Sequence, residues 1–200
     1  MSDAPELCEE DQLRAALYAL IGHLFYAAPD AALLAQIASN AATATQDTPL
    51  DQAWCALGSA CAAANMDALR DEHQTLFVGV GKSLVTPYTS AYVTHMAPDR
   101  YLLQLRQQLA GWGLARDEAA VDPEDHIAGL CDVMRHLITR GDSEWVQKEL
   151  FNKNMYLCSK ALCERVLSNS TAQFYAAVAR FTVAFLEVEH EAFEMVEPEV

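Results

Sequence analysis

The stretch Phe174-Tyr-Ala-Ala-Val-Ala-Arg-Phe-Thr-Val-Ala-Phe185 decides the fold class of this chain. Its large apolar side chains recur at three- and four-residue steps, which is the spacing of one face of an α-helix. The stretch lies within residues 142–197, which contain neither glycine nor proline. This segment therefore predicts two or three helices, with breaks near residues 152–154 and 168–170.

The same periodicity continues towards the N-terminus, where leucine and isoleucine follow it. Helices are predicted over residues 9–27, from residue 30 onwards, and over residues 51–64, 66–77, 98–111 and 122–141. Proline stands at the expected first turn of the last two, and glycine at their ends. No pair of strands can be recognised. The sequence predicts an all-α bundle of about eight or nine helices that forms a single domain over residues 1–200.

Length and composition agree with a globular domain. The chain has 200 residues, of which 52% are apolar and 20% are charged. A chain of this size buries roughly 70% of its unfolded surface, so its stability requires neither a disulfide nor a metal. This apolar content excludes intrinsic disorder, which needs low hydrophobicity.

The net charge of −15 restricts the classes of partner. An acidic surface repels phosphate backbones and anionic lipid heads, so we expect no nucleic-acid binding and no stable membrane insertion. It suits a basic partner, although solubility alone also accounts for it. The acidic segment from about residue 190 is predicted to be a solvated tail, because its glutamates are unfavourable at the negative end of a helix dipole.

The N-terminus is acidic where a signal peptide is basic, and no segment approaches the roughly 20 apolar residues of a membrane span. We therefore expect a cytoplasmic protein whose six cysteines are reduced, most of them being small buried residues. The histidines and cysteines show no metal-ligand spacing, so neither a metal nor a cofactor is predicted.

The longest irregular stretch covers residues 78–98, VGVGKSLVTPYTSAYVTHMAP, with a short helical turn predicted near Tyr92. A loop of this length in a compact domain is more often functional than idle. Tyr88 and Tyr92 are candidates for a binding surface, although packing the loop down is an equal alternative. The glycines at 79 and 81 lack the spacing of a phosphate-binding loop.

The segment Val121-Asp-Pro-Glu-Asp-His126 is the most informative motif. It can be read entirely as a helix start, with Asp122 as the cap and Pro123 at the first position. That reading leaves His126 unexplained. On a helix beginning there, His126 lies at the edge of the apolar face and Asp125 points towards solvent. Carboxylates so placed can take an arginine side chain through two parallel hydrogen bonds.

Several segments, taken in order, resemble the TorD/DmsD family of redox-enzyme maturation chaperones. They are Leu76-Phe77, the loop with Gly79 and Gly81, Pro87-Tyr88 with Ser90 and Tyr92, Leu114, and Asp122-Pro-Glu-Asp-His126. The resemblance spans about residues 70–140, and more loosely the final helix. It implies an all-α cytoplasmic chaperone that catalyses no reaction of its own.

The resemblance also implies a partner and a site. The partner is the twin-arginine leader, or the apo form, of a molybdenum-cofactor oxidoreductase, whose export the chaperone delays until the cofactor is inserted. The implied leader-binding residues are Leu76, Phe77, Tyr88, Tyr92, Glu124, Asp125 and His126. A leader with two arginines beside an apolar stretch complements an acidic protein with an apolar groove.

The sequence departs from the family pattern at three places. His73 stands where the family often has an aromatic residue, and Asp122 replaces the usual glutamate. Leu157-Cys158 occupies the place of an expected Pro-Trp. These departures leave the identity of the client open.

Two readings from other classes compete with the chaperone. A helical protein-interaction adaptor, unrelated to redox enzymes, would have the same fold. A hydrolase using Asp125 and His126 as a catalytic pair is disfavoured, because adjacent residues on a helix point about 100° apart. We therefore expect no enzymatic activity. Whether the chain is a monomer or a dimer is left open.

Overall fold

The computed structural model describes residues 7–79, 83–115 and 122–197. Over these ranges the chain is all-α, as predicted, with nine α-helices. They are α1 (Glu9–Tyr26), α2 (Ala31–Ala41), α3 (Pro49–Ala63), α4 (Met66–His73), α5 (Pro98–Gly111), α6 (Ile127–Arg140), α7 (Glu144–Leu150), α8 (Tyr156–Leu167) and α9 (Phe174–Glu194). The same ranges contain no strand, only one isolated antiparallel bridge between Tyr88 and His126.

Side-chain caps set where the early helices begin. Asp30 precedes α2 and accepts a hydrogen bond from the Leu33 amide at 2.8 Å. Thr48 precedes α3 and forms a reciprocal capping box with Asp51, so this helix begins two residues before its predicted start at residue 51. A capping side chain satisfies amides that have no partner inside the helix, which fixes the first turn.

The predicted start of α6 at Asp122 and Pro123 is wrong. The helix begins at Ile127, and its cap is His126, whose backbone angles (φ −63°, ψ 133°) are extended. A turn precedes it, closed by the His126 amide donating to the Pro123 carbonyl at 3.2 Å. The end of the helix is as predicted, because Gly141 adopts the left-handed conformation at φ 76°.

Two short π-helical turns adjoin α-helices. Residues Gln74–Val78 continue α4, and residues Phe151–Met155 join α7 directly to α8. The break predicted near residues 152–154 is therefore a change of helix type, whereas the break near residues 168–170 is a true interruption before α9. The helical turn predicted near Tyr92 is a 3₁₀ turn over Thr89–Tyr92.

The C-terminal segment is more ordered than a solvated tail. Helix α9 continues to Glu194, and Phe193 is buried with its ring 5.1 Å from that of Phe151. The ammonium of Lys148 donates a hydrogen bond to the Val196 carbonyl at 3.0 Å. Apolar burial and this hydrogen bond outweigh the unfavourable helix dipole over residues 190–196.

Backbone contacts divide the chain into two compact units, each assembled from separate segments. The first unit comprises Met1–Gly22, Pro87–Ser159 and Phe193–Val200, and its buried side chains include Tyr18, Tyr101, Leu105, Leu130, Met134 and Phe151. The second unit comprises His23–Thr86 and Lys160–Ala192, and its buried side chains include Phe25, Leu57, Leu76, Tyr175, Phe181 and Phe185. That the whole chain is a single domain stays a prediction.

All six cysteines are free thiols, and four of them are buried. Burial raises the pKa of Cys61 to about 11 and that of Cys131 to about 12. Thiols in this state are poor nucleophiles, which agrees with their predicted role as small apolar residues. None of the described helices has the length and apolar character that crossing a bilayer requires.

Candidate functional site

In the first unit, the loop before α5 is paired with the turn before α6. The Thr89 amide donates to the Asp125 carbonyl at 2.8 Å, and the Ile127 amide donates to the Pro87 carbonyl at 2.9 Å. These two hydrogen bonds flank the bridge between Tyr88 and His126. We call residues 87–90 and 122–127 together the bridge cluster. Their pairing holds the backbone of His126 extended, which explains why α6 begins later than its sequence suggests.

Tyr88 joins the two halves of the bridge cluster through its side chain. Its hydroxyl donates to Asp122 Oδ1 at 2.7 Å, and its ring meets that of His126 edge-on, with centroids 5.3 Å apart. Burial, followed by the hydrogen bond to Asp122, raises the pKa of Tyr88 to about 12. The hydroxyl therefore remains a donor at any physiological pH.

His126 caps α6 rather than lying on its apolar face. The ring is buried, and its Nδ1 accepts a hydrogen bond from the Ala128 amide at 3.1 Å. A ring nitrogen can accept only when it carries no proton, so the cap requires the tautomer with its proton on Nε2. This role accounts for the one residue that the capping interpretation of the motif left unexplained.

Asp125 does not face solvent, contrary to the sequence expectation. Only 3% of the residue is exposed, and its Oδ2 accepts from the Ser90 amide at 3.3 Å. Its carbonyl also accepts from the Thr89 hydroxyl at 3.2 Å. The expectation assumed helical phase at this position, but Asp125 lies in the turn that precedes α6. Its carboxylate therefore positions the loop and is not available to an external arginine in this conformation.

A hydrogen-bond network connects the bridge cluster to α5 and to the π-helical turn at Phe151–Met155. The hydroxyls of buried Thr89 and Tyr101 lie 3.1 Å apart, and the Tyr101 hydroxyl donates to the Asn154 carbonyl at 3.4 Å. The Asn154 amide donates in turn to Gln108 Oε1 at 2.7 Å. Burial raises the pKa of Tyr101 well above its usual value. No sequence motif marks these residues, because the contacts cross tens of positions.

Glu124 is the acidic residue of the bridge cluster that binds a guanidinium. Arg106 of α5 donates to it through Nε at 2.9 Å and through Nη2 at 3.0 Å. The glutamate side chain is 12% exposed and the arginine side chain is 49% exposed. The two parallel hydrogen bonds show that this carboxylate is oriented to accept an arginine side chain. The sequence argument placed this chemistry at Asp125 with an external arginine, whereas the pair observed here joins Glu124 to Arg106, 18 positions away.

Leu76 and Phe77, which the resemblance implies as leader-binding residues, lie in the second unit and are buried there. Leu76 is 0% exposed and Phe77 is 6% exposed. The Phe77 ring packs 5.6 Å from Phe25 and 5.0 Å from Tyr175, between ring centroids. Neither side chain presents a surface to a ligand in this conformation. The Leu76 carbonyl accepts a hydrogen bond from the Val85 amide at 2.8 Å. Residues 80–82 of the predicted irregular stretch lie outside the described part of the chain.

His73 takes the place of the expected aromatic residue within the same cluster. Its ring centroid lies 5.4 Å from that of Phe77 and 5.6 Å from that of Tyr175. Burial lowers the pKa of His73, although its hydrogen bond to the Phe25 carbonyl acts in the opposite direction. The histidine thus packs as a neutral aromatic ring, so this departure from the family pattern preserves the cluster.

Tyr92 ends the 3₁₀ turn and borders a groove of about 890 Å³ in the first unit. The groove lies among residues 92–96, α5, and the chain from Glu149 to Cys158. Leu157, at the place of the expected Pro-Trp, is one of its lining residues and is 70% exposed. The sequence did not predict this groove. The only available signal was the group of glutamines at 104, 107 and 108.

Among the described residues, no three histidine, cysteine, aspartate or glutamate side chains come together as a metal site. The chain matches the family model described as nitrate reductase delta subunit over residues 43–179, which is more than half of its length. The chain belongs to this family. The family comprises chaperones for the maturation of molybdoenzymes and is not a family of enzymes, in agreement with the resemblance to TorD/DmsD proteins. The matched range includes the bridge cluster, the groove, Leu76 and Phe77. No curated protein matches the chain.

Proposed function

We propose that this protein is a cytoplasmic chaperone that binds the twin-arginine leader, and the apo form, of one molybdenum-cofactor oxidoreductase. It assists cofactor insertion, delays export of the client, and catalyses no reaction. Membership of the nitrate reductase delta subunit family supports the chaperone role. The net charge of −15 supports a basic partner segment, since complementary charge raises the rate of association.

The observation that carries the leader-binding part is the bidentate pair of Glu124 and Arg106. A carboxylate that already accepts one guanidinium in this geometry can accept another from a leader. Arg106 is half exposed, and ion pairs of this kind contribute little to stability, so a competing arginine can displace it. Arg106 is thus an internal substitute for the leader arginine.

The other site residues have supporting roles in this proposal. Asp125, His126 and Tyr88 hold the turn that presents Glu124, through the hydrogen bonds and ring contact described above. Tyr92 is the last residue of the 3₁₀ turn that begins in the bridge cluster at Thr89. Leu76 and Phe77 act from the core of the second unit and stabilise its aromatic cluster. Only Glu124 is assigned direct contact with a leader arginine.

The test compares the binding of two synthetic 20-residue peptides by fluorescence anisotropy. One carries two consecutive arginines before an apolar stretch, and the other carries two lysines in their place. Glu124→Gln is expected to weaken binding of the arginine peptide roughly tenfold, because a charge-assisted bidentate pair is lost. Arg106→Gln is expected to bind the same peptide more tightly, because the internal competitor is gone.

The matched controls are Asp67→Asn and Arg70→Gln, which break an exposed ion pair of α4 and cause the same changes in charge. Both are expected to bind as the wild type does. If Glu124→Gln binds the arginine peptide as tightly as Asp67→Asn does, Glu124 does not receive the leader.

The client is identified by affinity capture of the tagged protein from the cytoplasm of its native host, followed by mass spectrometry of the proteins that co-purify. Recovery of a molybdoenzyme precursor with its leader uncut is the expected result. Recovery of other proteins alone, while molybdoenzymes are being expressed, would favour the adaptor reading.

A further inference from the structure

The groove of the first unit is a second candidate binding surface. Its volume of about 890 Å³ is in the range of sites that enclose a sizeable ligand. Its walls are residues 92–96, α5, and the chain from Glu149 to Cys158. Of the residues that the resemblance implies for leader binding, Tyr92 borders the groove, whereas Glu124, the residue proposed to contact a leader arginine, lies in the bridge cluster.

Amide side chains dominate the polar part of this groove. They are Gln104, Gln107, Gln108, Asn152 and Asn154. Each amide offers both donors and acceptors, which are the groups that a peptide main chain presents. The charged residues Glu149 and Lys153 pair with each other at 2.5 Å. The lining therefore favours an uncharged polar ligand over an anion or a cation.

One of these amides has an unused donor. Gln108 Oε1 accepts from Asn154, whereas Gln108 Nε2 is buried and has no hydrogen-bond partner in the described part of the chain. A buried donor without an acceptor costs the folded state free energy. The Gln108 side chain is half-buried, so a rotation towards the groove would bring this donor to a carbonyl oxygen of an occupant.

Apolar side chains lie beside the amides. Leu157 is 70% exposed and Trp112 is half-buried, and both line the groove together with Met96. An exposed leucine is unremarkable when it stands alone. Placed at a groove with an aromatic ring and a methionine, it offers contact for apolar side chains of a bound segment.

From this combination we propose that the groove binds an extended, uncharged segment of a polypeptide client. The amides hydrogen-bond to the client main chain, and Leu157 and Trp112 contact alternate side chains of the segment. This surface is distinct from the one assigned to the leader. The proposal rests on the proposed chaperone function for its polypeptide partner, but its site does not include Glu124, so groove binding and leader binding can fail separately.

Gly111 provides a way to fill the groove without disturbing the fold. It is the last residue of α5 and lines the groove, and a Cβ placed on it would meet no atom within 4 Å. Gly111→Leu is designed to reduce the groove volume, and because Gly111 does not adopt a positive φ, leucine with its higher helix propensity fits the backbone. The matched control is Ala110→Leu, at an exposed position of the same turn that does not line the groove.

A second variant changes the chemistry and not the volume. Gln108→Glu keeps the acceptor for Asn154 and replaces the unused donor with an oxygen. Its control is Gln36→Glu, which makes the same change of charge at an exposed position of α2.

The experiment selects random 12-residue peptides displayed on phage against the wild type, with counter-selection against Gly111→Leu. The selected peptides are expected to be poor in charged residues. As synthetic peptides, they are expected to bind at least tenfold more weakly to Gly111→Leu and Gln108→Glu than to the two controls. Circular dichroism melting verifies that all variants fold, and the twin-arginine peptide is expected to bind all four equally.

The proposal is overturned if no selected peptide distinguishes the wild type from Gly111→Leu. It is also overturned if the selected peptides are basic and lose their binding only in Glu124→Gln, because they would then occupy the leader site. A loss of twin-arginine binding in Glu124→Gln alone tests the leader proposal and leaves the groove unaffected.

Discussion

The hydroxyl of Tyr88 donates a hydrogen bond of 2.7 Å to the carboxylate of Asp122, 34 positions further along the chain. The contact joins the loop before α5 to the turn before α6 by side chains, beside the backbone bridge of Tyr88 and His126. Because burial and the hydrogen bond to Asp122 raise the pKa of Tyr88 to about 12, the hydroxyl keeps its proton at neutral pH. The turn that carries Glu124 is therefore anchored on both sides.

Breaking this contact should loosen the turn. Tyr88→Phe is expected to lower the free energy of unfolding by about 1 kcal/mol, since a hydrogen bond to a charged acceptor is lost at a half-buried site. The measurement is urea unfolding of Tyr88→Phe, Asp122→Ala, which removes the acceptor, and the double variant. A coupling energy near zero in this double-mutant cycle would contradict the assigned hydrogen bond.

Leu76 should prove to be a core residue. Because it is 0% exposed, Leu76→Ala is expected to cost about 2–5 kcal/mol in unfolding free energy. Leu84→Ala, at a side chain that is 55% exposed in the same unit, is the control and should cost less than about 0.5 kcal/mol. A stable Leu76→Ala protein that no longer binds the arginine peptide would instead make Leu76 a ligand contact.

Glu72 should be a major determinant of the start of α9. Its carboxylate accepts hydrogen bonds from the amides of Gln173 at 2.8 Å, Phe174 at 3.1 Å and Tyr175 at 2.8 Å. Glu72→Ala leaves these amides without their acceptor and removes a negative charge at the positive end of the helix dipole. The expected cost is about 2 kcal/mol in urea unfolding.

The neighbouring exposed carboxylate provides the control for this change. Asp71→Ala alters the same helix by the same charge and is expected to change stability by less than about 0.5 kcal/mol. Equal costs for the two variants would mean that the Glu72 cap contributes nothing.

His73 should make the protein less stable in mild acid. An unfolded histidine has a pKa near 6.5, and burial lowers the pKa of His73 in the folded state. Below pH 6.5 the unfolded chain therefore binds more protons at this residue, so stability is present above that pH and falls with acidification. The slope contributed by one such group is at most about 1.4 kcal/mol per pH unit.

The measurement for His73 is the free energy of unfolding between pH 7.5 and pH 5. His73→Phe retains an aromatic ring in the cluster and should flatten the profile. His136→Gln, at an exposed position, should leave the slope unchanged. An unaltered profile in His73→Phe would show that another group causes the acid sensitivity.

The helices could be predicted from sequence because their determinants are local. Apolar spacing, the cap at Asp30 and the left-handed Gly141 each act within a few residues of the element they define. The start of α6 could not be predicted, because hydrogen bonds with Pro87 and Thr89 hold residues 125 and 126 outside the helix, with His126 extended. The local preference of Asp122 and Pro123 for a helix start was overridden by the pairing of this segment with residues 87–89.

For the candidate site, the sequence could mark individual residues but not the contacts they make. Residue type and order marked Tyr88, Glu124 and His126, but their roles depend on partners that sequence spacing does not reveal. Arg106 reaches Glu124 from another helix, and Thr89 contacts Tyr101 within the buried network. The groove escaped prediction altogether, because its amides come from two helical segments about 50 positions apart.

The π-helical turn at Phe151–Met155 has a consequence for how the two helices around it evolve. Such a turn holds about one residue more than an α-helical turn, so it absorbs that residue without turning the helix that follows. Deletion of a single residue there, for example Lys153, would let α7 and α8 run on as one uniform helix and leave the orientation of α8 nearly unchanged. Conversion of the turn to α-helix without a deletion would instead rotate α8 by about 100° and carry Leu157 out of the groove. The π-helical turn thus lets the chain carry an additional residue while the side chains of α8 keep their places.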